Sequence, residues 1–233
     1  LDWISDGEPV IFKGLYIDET YILREVKAPE GYFVAEDVEF TVQETRDVQT
    51  ITMLDELIPE IETQASFISG DKVNKVDHEL TVIDTVSYKD LVIGKHYTVK
   101  GKLLDTETEE VVATAERTFI PENPNGEIDL EFTFDASKLL GSTLVVFEDL
   151  YRDERLVATH SEITDKNQTV YIPEIKTTAS VSEFNKDSVT ITDVVKYSDL
   201  ETDREYTLIG WIMTKDGKPL QDKDGHIIDA TIK

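Results

Sequence analysis

The chain has 233 residues, 39% of them hydrophobic, which is enough for two or three folded modules of about one hundred residues each. Its 49 acidic and 23 basic residues give a formal net charge of −26, which argues against binding to nucleic acid or insertion into a membrane. Cysteine is absent, which excludes disulfides and thiol catalysis, and four scattered histidines argue against a histidine metal site. We therefore expect neither a metal nor a cofactor.

The first segment, residues 1–57, has apolar runs typical of short strands. Glu25 lies in the run YILREVKAPEGY (21–32), and Asp55 ends the run ITMLD (51–55). By themselves these acids would be ordinary structural residues at a strand end and in a linker. The runs resemble, however, the second half of a Cna-B or SpaA-type pilin domain, in which a lysine and an Asn or Asp form an isopeptide bond. The resemblance implies Glu25 as the catalytic acid and Asp55 as the acyl partner, with the lysine expected before Leu1.

An internal repeat begins after this segment. The sequence IPEIETQA (58–65) recurs as IPEIKTTA (172–179), an offset of 114 residues (172 minus 58), and VIDTVSYKDL (82–91) recurs as ITDVVKYSDL (191–200). A repeat of domain size indicates tandem modules. We expect three units, namely the C-terminal half of a domain at 1–57, a complete module at 58–171 and the N-terminal half of a second copy at 172–233.

The complete module reads as a series of strands. The sequence EIDLEFTF (127–134) alternates polar and apolar residues with period two, so its four apolar side chains share one buried face. The only helical element expected is a short turn at 138–140. Further β-branched or aromatic runs predict strands at 81–88, 97–104, 111–119, 144–150, 155–160 and 169–172.

Seven or so short strands in one module indicate a β-sandwich. The joints between modules are short and contain proline, at Ile58-Pro59 and Ile172-Pro173, which favours an extended and stiff arrangement. The predicted fold class is therefore all-β, with tandem Ig-like or prealbumin-like sandwich modules in an extended stalk.

Five polar residues in the complete module are candidates for chemistry: Thr63, Asp84, Glu148, His160 and Gln168. Acids in such apolar runs are costly to bury unless they are paired or protonated. From spacing alone, the two acids are better interpreted as solvated residues at strand ends, and His160 as a surface residue.

With the motifs around them, these five positions resemble the T-Q ester-bond domain, also called the VaFE repeat, of Gram-positive surface adhesins. The similarity spans 58–171 and includes DTVSY (84–88), VFE (146–148) and HSEITDKNQTV (160–170). It implies a spontaneous ester between the side chains of Thr63 and Gln168. We assign the base to His160 and a proton-sharing acid pair to Asp84 and Glu148, two roles that are open to exchange.

The third segment repeats only part of this pattern. Thr177 and Asp193 match Thr63 and Asp84, and the neighbouring Thr178 leaves the identity of the nucleophile open. The matching Glu, His and Gln are expected beyond Lys233. The sequence DKDG (222–225) is interpreted as a hairpin turn rather than a calcium loop.

These features predict a structural stalk segment of a cell-wall-anchored, extracellular bacterial adhesin or pilin. Its partners would be other modules of the same chain and, through a tip domain outside this sequence, a host surface ligand. The crosslinking reaction would run once, so the chain is not expected to be an enzyme. The alternative is a ligand-binding β-sandwich that recognises host protein or carbohydrate.

Overall fold

A computed structural model describes residues 3–5, 7–184 and 188–233 of the chain. Every regular element in these ranges is a β-strand, which confirms the predicted all-β class. In the same ranges, no helix is long and apolar enough to cross a membrane. The short helical turn predicted at 138–140 is a pair of non-helical turns, in which Leu139 N donates to Ala136 O at 2.9 Å and Ser142 N donates to Leu139 O at 3.1 Å.

The first segment contains four short strands. Strand β1 pairs with β3 and β2 pairs with β4, both antiparallel. The second pairing brings Phe33 opposite Glu56. The bounds of the strands are Thr20–Leu23 for β1, Tyr32–Phe33 for β2, Val38–Thr41 for β3 and Glu56–Leu57 for β4.

The middle module is a sandwich of two antiparallel sheets. One sheet has the order β5-β6-β9, and the other has the order β11-β10-β7-β8, with β12 paired to the first half of β10. The strands are β5 (Glu60–Phe67), β6 (Leu80–Lys89), β7 (Tyr97–Asp105), β8 (Val111–Phe119), β9 (Gly126–Phe134), β10 (Ser142–Arg152), β11 (Arg155–His160) and β12 (Thr169–Ile172). The predicted bounds of β8, β11 and β12 are confirmed, and β6, β7, β9 and β10 extend one or two residues beyond their predicted ends.

The core lies between the two sheets. The predicted apolar face of β9 is confirmed, because Ile128, Leu130, Phe132 and Phe134 are all buried. The facing strand β7 carries Gly101, where an added Cβ would lie 2.5 Å from Phe132 Cζ. The absence of a side chain at this position is therefore what allows the two layers to approach each other closely.

The first and last strands of the module meet at the open edges of the two sheets. Ala65 N on β5 donates to Asn167 O at 2.9 Å, and Val146 N on β10 donates to Gln168 O at 3.1 Å. The residues just before β12 are thus held between the edge of one sheet and a strand of the other. β12 ends at Ile172, which is fully buried in this core. Pro173 is therefore the first residue after the last strand of the module.

The third segment repeats the first pairing of the middle module. It contains β13 (Glu174–Phe184), β14 (Val189–Ser198), β15 (Leu208–Trp211) and β16 (Asp229–Ile232). Ala179 pairs with Asp193 as Ala65 pairs with Asp84. Thr177, rather than Thr178, therefore has the register position of Thr63.

The DKDG sequence at 222–225 forms the predicted hairpin turn. Asp222 N donates to His226 O at 2.8 Å, and Gly225 N donates to Asp222 O at 3.1 Å. Gln221 and Ile227 form an antiparallel bridge across the turn.

Candidate crosslink site

Two of the candidate residues lie on adjacent strands of the smaller sheet. Thr63 on β5 and Asp84 on β6 both point into the core, where the exposed fraction is 6% for Thr63 and 0% for Asp84. Strand alternation explains this, because Thr63 continues the inward series of Ile61, Ala65 and Phe67. The interpretation of Asp84 as a solvated strand-end acid is therefore wrong.

The other two central residues come from the opposite sheet. Glu148 lies in the middle of β10, and Gln168 directly precedes β12 after a turn in which Gln168 N donates to Asp165 O at 3.1 Å. The exposed fraction is 1% for Glu148 and 0% for Gln168. Glu148 is thus no more solvated than Asp84, and both acids are exceptions to the usual exposure of carboxylates.

The side chains of Thr63, Glu148 and Gln168 form one hydrogen-bonded group. The Gln168 Nε2 atom donates to Thr63 Oγ1 at 2.5 Å and to Glu148 Oε2 at 2.5 Å, and Thr63 Oγ1 donates to Glu148 Oε2 at 3.3 Å. Residues 105 positions apart in the chain are therefore in direct contact. The hydroxyl and the carboxamide that the sequence singled out are brought together away from water.

Burial and mutual repulsion control the charge of the two acids. Burial raises the pKa of Glu148, and the charge of Asp84 and a hydrogen bond with Asp84 raise it further. Burial also raises the pKa of Asp84, but the hydrogen bond with Glu148 and the charges of Lys72 and His160 oppose this rise. The pKa of Glu148 is consequently raised more than the pKa of Asp84, which favours a neutral Glu148 beside an ionised Asp84.

Several oxygens of this group are buried without a hydrogen-bond partner among the described residues. Both carboxylate oxygens of Asp84 and the Oε1 atom of Glu148 are buried and accept no hydrogen bond from any described residue. Such groups are costly unless they are paired. Gln168 Oε1 is also buried and without a partner, and it is the oxygen on which charge would develop if the carboxamide were attacked.

His160 lies next to this group, on the strand beside Glu148. It pairs with Glu148 across β10 and β11, and its Nε2 atom is 3.0 Å from Asp165 Oδ2. His160 has no hydrogen bond to Thr63 in the described part of the chain. Asp165 also accepts a hydrogen bond from Asn167 N at 2.8 Å, so it joins the histidine to the turn before Gln168.

The sequence did not select Asp165 or Lys72 as site residues. A sequence signal for Asp165 existed, because this residue lies between His160 and Gln168 in the motif that carries the resemblance. Lys72 had none. Its Nζ atom donates to Asn167 O, and burial lowers its pKa while the charges of Glu201, Asp84 and Asp165 oppose this effect.

The remaining predicted residues are not assembled into a site in the described ranges. Glu25 is half-buried and accepts a hydrogen bond from Ala35 N at 2.7 Å, whereas Asp55 is exposed, and no hydrogen bond or ion pair joins the two. Thr177 and Asp193 are exposed and make no side-chain hydrogen bond there. No cluster of three or more potential metal ligands occurs among the described residues.

Comparison with solved structures finds similar chains at low identity. A bacterial adhesin from Mobiluncus mulieris, described as containing intramolecular disulfide, isopeptide and ester bond cross-links, is 16% identical with a TM-score of 0.45, over 60% of this chain and 76% of that one. The BcpA major pilin subunit of Bacillus cereus, as a D312A variant, is 12% identical with a TM-score of 0.38, over 92% and 81%. A family 2 glycosyl hydrolase from Bacteroides cellulosilyticus is 13% identical with a TM-score of 0.40, over 53% and 17%.

Two family models match the chain, while the comparison with curated proteins found no match. The model of the SpaA prealbumin-like fold domain matches residues 3–57. The model of the T-Q ester bond containing domain matches residues 59–172 and, a second time, residues 173–233. These two matches cover most of the chain and include the complete buried group of Thr63, Asp84, Glu148 and Gln168. The chain therefore belongs to the family of T-Q ester bond containing domains.

Proposed function

We propose that this chain is a structural segment of a bacterial surface protein, and that its middle module closes an ester between Thr63 and Gln168 with loss of ammonia. The observation that carries this proposal is the buried contact of 2.5 Å between Thr63 Oγ1 and Gln168 Nε2, with Glu148 bonded to both. Holding the two reactants in contact supplies the effective concentration that a free hydroxyl and carboxamide lack.

In the first step, Thr63 Oγ1 attacks the carboxamide carbon of Gln168, and the carbonyl electron pair moves onto Oε1. The hydroxyl proton passes to Glu148 Oε2 along the existing hydrogen bond while Glu148 gives its own proton to Asp84. Asp84 thus acts as the base through Glu148. The role of base thus moves from His160 to Asp84, since His160 forms no hydrogen bond with the hydroxyl in the described part of the chain.

In the second step, the carbon–nitrogen bond breaks and ammonia leaves. Glu148 Oε2, which is already bonded to Gln168 Nε2, supplies the proton that the leaving nitrogen needs, and Asp84 returns a proton to Glu148. One hydroxyl and one carboxamide become one ester and one ammonia, so the reaction needs no external oxidant or activating group. It runs once per module, unlike the turnover of an enzyme.

In this proposal His160 and Asp165 are positioning residues. Their hydrogen bond anchors the turn that carries Gln168, and the positive charge of the ring when protonated favours the ionised form of Asp84. Lys72 adds a second anchor through Asn167 O. The function of all three is to keep the acyl donor against the hydroxyl.

The ester would make the module inextensible. A bond between Thr63 and Gln168 encloses 105 residues, which would reach about 350 Å if pulled straight at about 3.3 Å per residue. Such a crosslink suits the extracellular stalk of a cell-wall-anchored adhesin or pilin, in a chain that has no cysteine for disulfides. In the SpaA-like first segment, an isopeptide bond to Asp55 assisted by Glu25 is part of the same proposal, as is a second ester module that begins with Thr177 and Asp193.

The test is the intact mass of the purified 233-residue chain. We expect a mass lower than the sequence mass by one ammonia, and a peptide that joins the segments around Thr63 and Gln168. Thr63→Val should have the full sequence mass, whereas Thr177→Val, changed at the same register position of the next module, should keep the loss of ammonia. Full sequence mass in well-folded wild-type protein would refute the ester.

A further inference from the structure

The end of the middle module that carries Gln168 is in contact with a loop of the third segment. This loop, residues 199–206, follows β14 and makes three polar contacts. Thr143 Oγ1 donates to Asp199 Oδ1 at 3.0 Å, Lys166 Nζ lies 3.4 Å from Asp203 Oδ2, and Arg204 Nη2 lies 3.4 Å from Asp71 Oδ1. The contact therefore reaches the turn that positions the acyl donor.

The contact pairs opposite charges, and the chain just before the loop approaches the middle module closely. The 199–206 loop carries four acids and one arginine, and it faces Lys72 and Lys166 in a chain that is otherwise strongly acidic. At Gly141 the approach is close, because an added Cβ would lie 3.2 Å from Ser198 Oγ and 3.3 Å from Glu174 Cβ. The positive φ of +80° at this glycine also favours the absence of a side chain.

The same loop recurs in the middle module with the same internal geometry. Asp90 and Asp199 both have left-handed backbone, with φ of 61° and 56°. The Tyr97 hydroxyl accepts a hydrogen bond from Val92 N at 3.0 Å, and the Tyr206 hydroxyl accepts one from Glu201 N at 3.0 Å. A loop built in this way is therefore a repeated part of the module.

In the middle module this loop faces the preceding segment. Lys95 lines a cleft together with Leu54, Glu56 and Arg152, and the Arg152 guanidinium forms an ion pair with Glu56. Both copies of the loop thus lie where a module meets the one before it.

We propose that the 199–206 loop is an interaction surface for the preceding module, and that by closing over the 165–168 turn it protects the ester of that module from water. This inference rests on the proposed ester. Lys166 belongs to the turn and forms an exposed ion pair with Asp203, while Lys72 donates to Asn167 O and is close enough to Glu201 for the charge of Glu201 to raise its pKa. Water reaches the ester carbonyl only when the turn opens, and the loop makes that local opening less frequent.

The test measures hydrolysis in the full chain. The ester is allowed to form, and the protein is then held at mildly alkaline pH while the intact mass is followed. Hydrolysis breaks the bond between Thr63 Oγ1 and the acyl carbon, adds one water, and leaves a carboxylate at position 168. The variant carries Asp199→Asn, Asp203→Asn and Arg204→Gln, because Asn tolerates the left-handed backbone at both aspartates.

A matched control is Asp216→Asn in an exposed turn of the third segment. The triple variant removes two negative charges and one positive charge, which leaves the chain with one negative charge fewer. Asp216→Asn changes the net charge by the same amount. We expect the triple variant to hydrolyse about fivefold faster, equivalent to about 1 kcal/mol of lost protection, and the control to hydrolyse at the wild-type rate. Added salt should accelerate hydrolysis in the wild type and leave the triple variant unchanged, because it screens exposed ion pairs.

The outcomes separate the two proposals. Equal hydrolysis rates in wild type and triple variant, with the ester formed in both, would overturn the protective loop and leave the ester standing. Faster hydrolysis in the control as well would also overturn it, because the effect would then be one of net charge. Full sequence mass in the wild type would overturn the ester and this inference with it.

Discussion

The stability that the ester should give to the middle module can be calculated from its loop. Thr63→Val removes the nucleophile and keeps the volume of the side chain, so the module folds without the crosslink. A bond that closes 105 residues restricts the unfolded chain by about 5 kcal/mol in the entropic treatment of crosslinks. For a domain of about 110 residues this corresponds to a fall in Tm of about 20 °C.

The comparison needs a variant that keeps the ester but changes the same residue. Thr63→Ser retains the hydroxyl and removes one buried methyl group, so it should still lose ammonia and should be destabilised by only about 1 kcal/mol. The assay is differential scanning calorimetry of wild type, Thr63→Ser and Thr63→Val, each with its intact mass measured. Thr63→Val also leaves Gln168 with one partner fewer, which adds about 1 kcal/mol in the same direction.

One result would refute this reasoning. If Thr63→Val has the full sequence mass, Thr63→Ser has lost ammonia, and the two unfold within about 5 °C of each other, the crosslink does not stabilise the fold through the unfolded chain. Loss of ammonia in Thr63→Val as well as in Thr63→Ser would instead refute the role of the hydroxyl as nucleophile.

Three further predictions concern the acid pair and the core. Glu148→Gln should slow loss of ammonia by about a hundredfold or more, because it removes the proton relay, and a time course of intact mass measures this. In Thr63→Val, the raised pKa values of Asp84 and Glu148 mean that the folded module keeps a proton that the unfolded chain loses above about pH 4.3, so the free energy of unfolding should fall as pH rises from that value. Adding Glu148→Gln should flatten this slope in urea titrations, and an unchanged slope would contradict the raised pKa of Glu148. Gly101→Ala should destabilise the module by about 1–3 kcal/mol in urea unfolding, because its Cβ would collide with the Phe132 ring, and wild-type stability would contradict the close packing of the layers.

Much of the fold could be predicted from the sequence because its signals are local. The period-two alternation of residues 127–134 determines which side of β9 is buried, whatever the neighbouring strands are. Turn-forming residues delimit β8, β11 and β12, so their bounds could be predicted directly. The five polar positions were found through motifs that are contiguous in the chain or separated by fixed spacings.

The chemistry of the site depends on pairing between distant parts of the chain. Spacing alone interpreted Asp84 and Glu148 as solvated, because it does not reveal that two sheets close over them. The choice between Thr177 and Thr178 needed the register of β13 against β14, in which a shift of one residue exchanges the two faces. Lys72 joined the site only because the chain after β5 returns beside Asn167.

The sequence by itself therefore determined the class of fold and the repeat, since both are written in local patterns, and its resemblance to a known family singled out the two side chains proposed to react. The tertiary structure decided that burial raises the pKa of Glu148, that Asp165 is the partner of His160, and that the 199–206 loop lies against the turn before Gln168. The physical reason is that pKa values and contacts between modules are properties of distances and burial, which exist only after residues far apart in the chain have packed together.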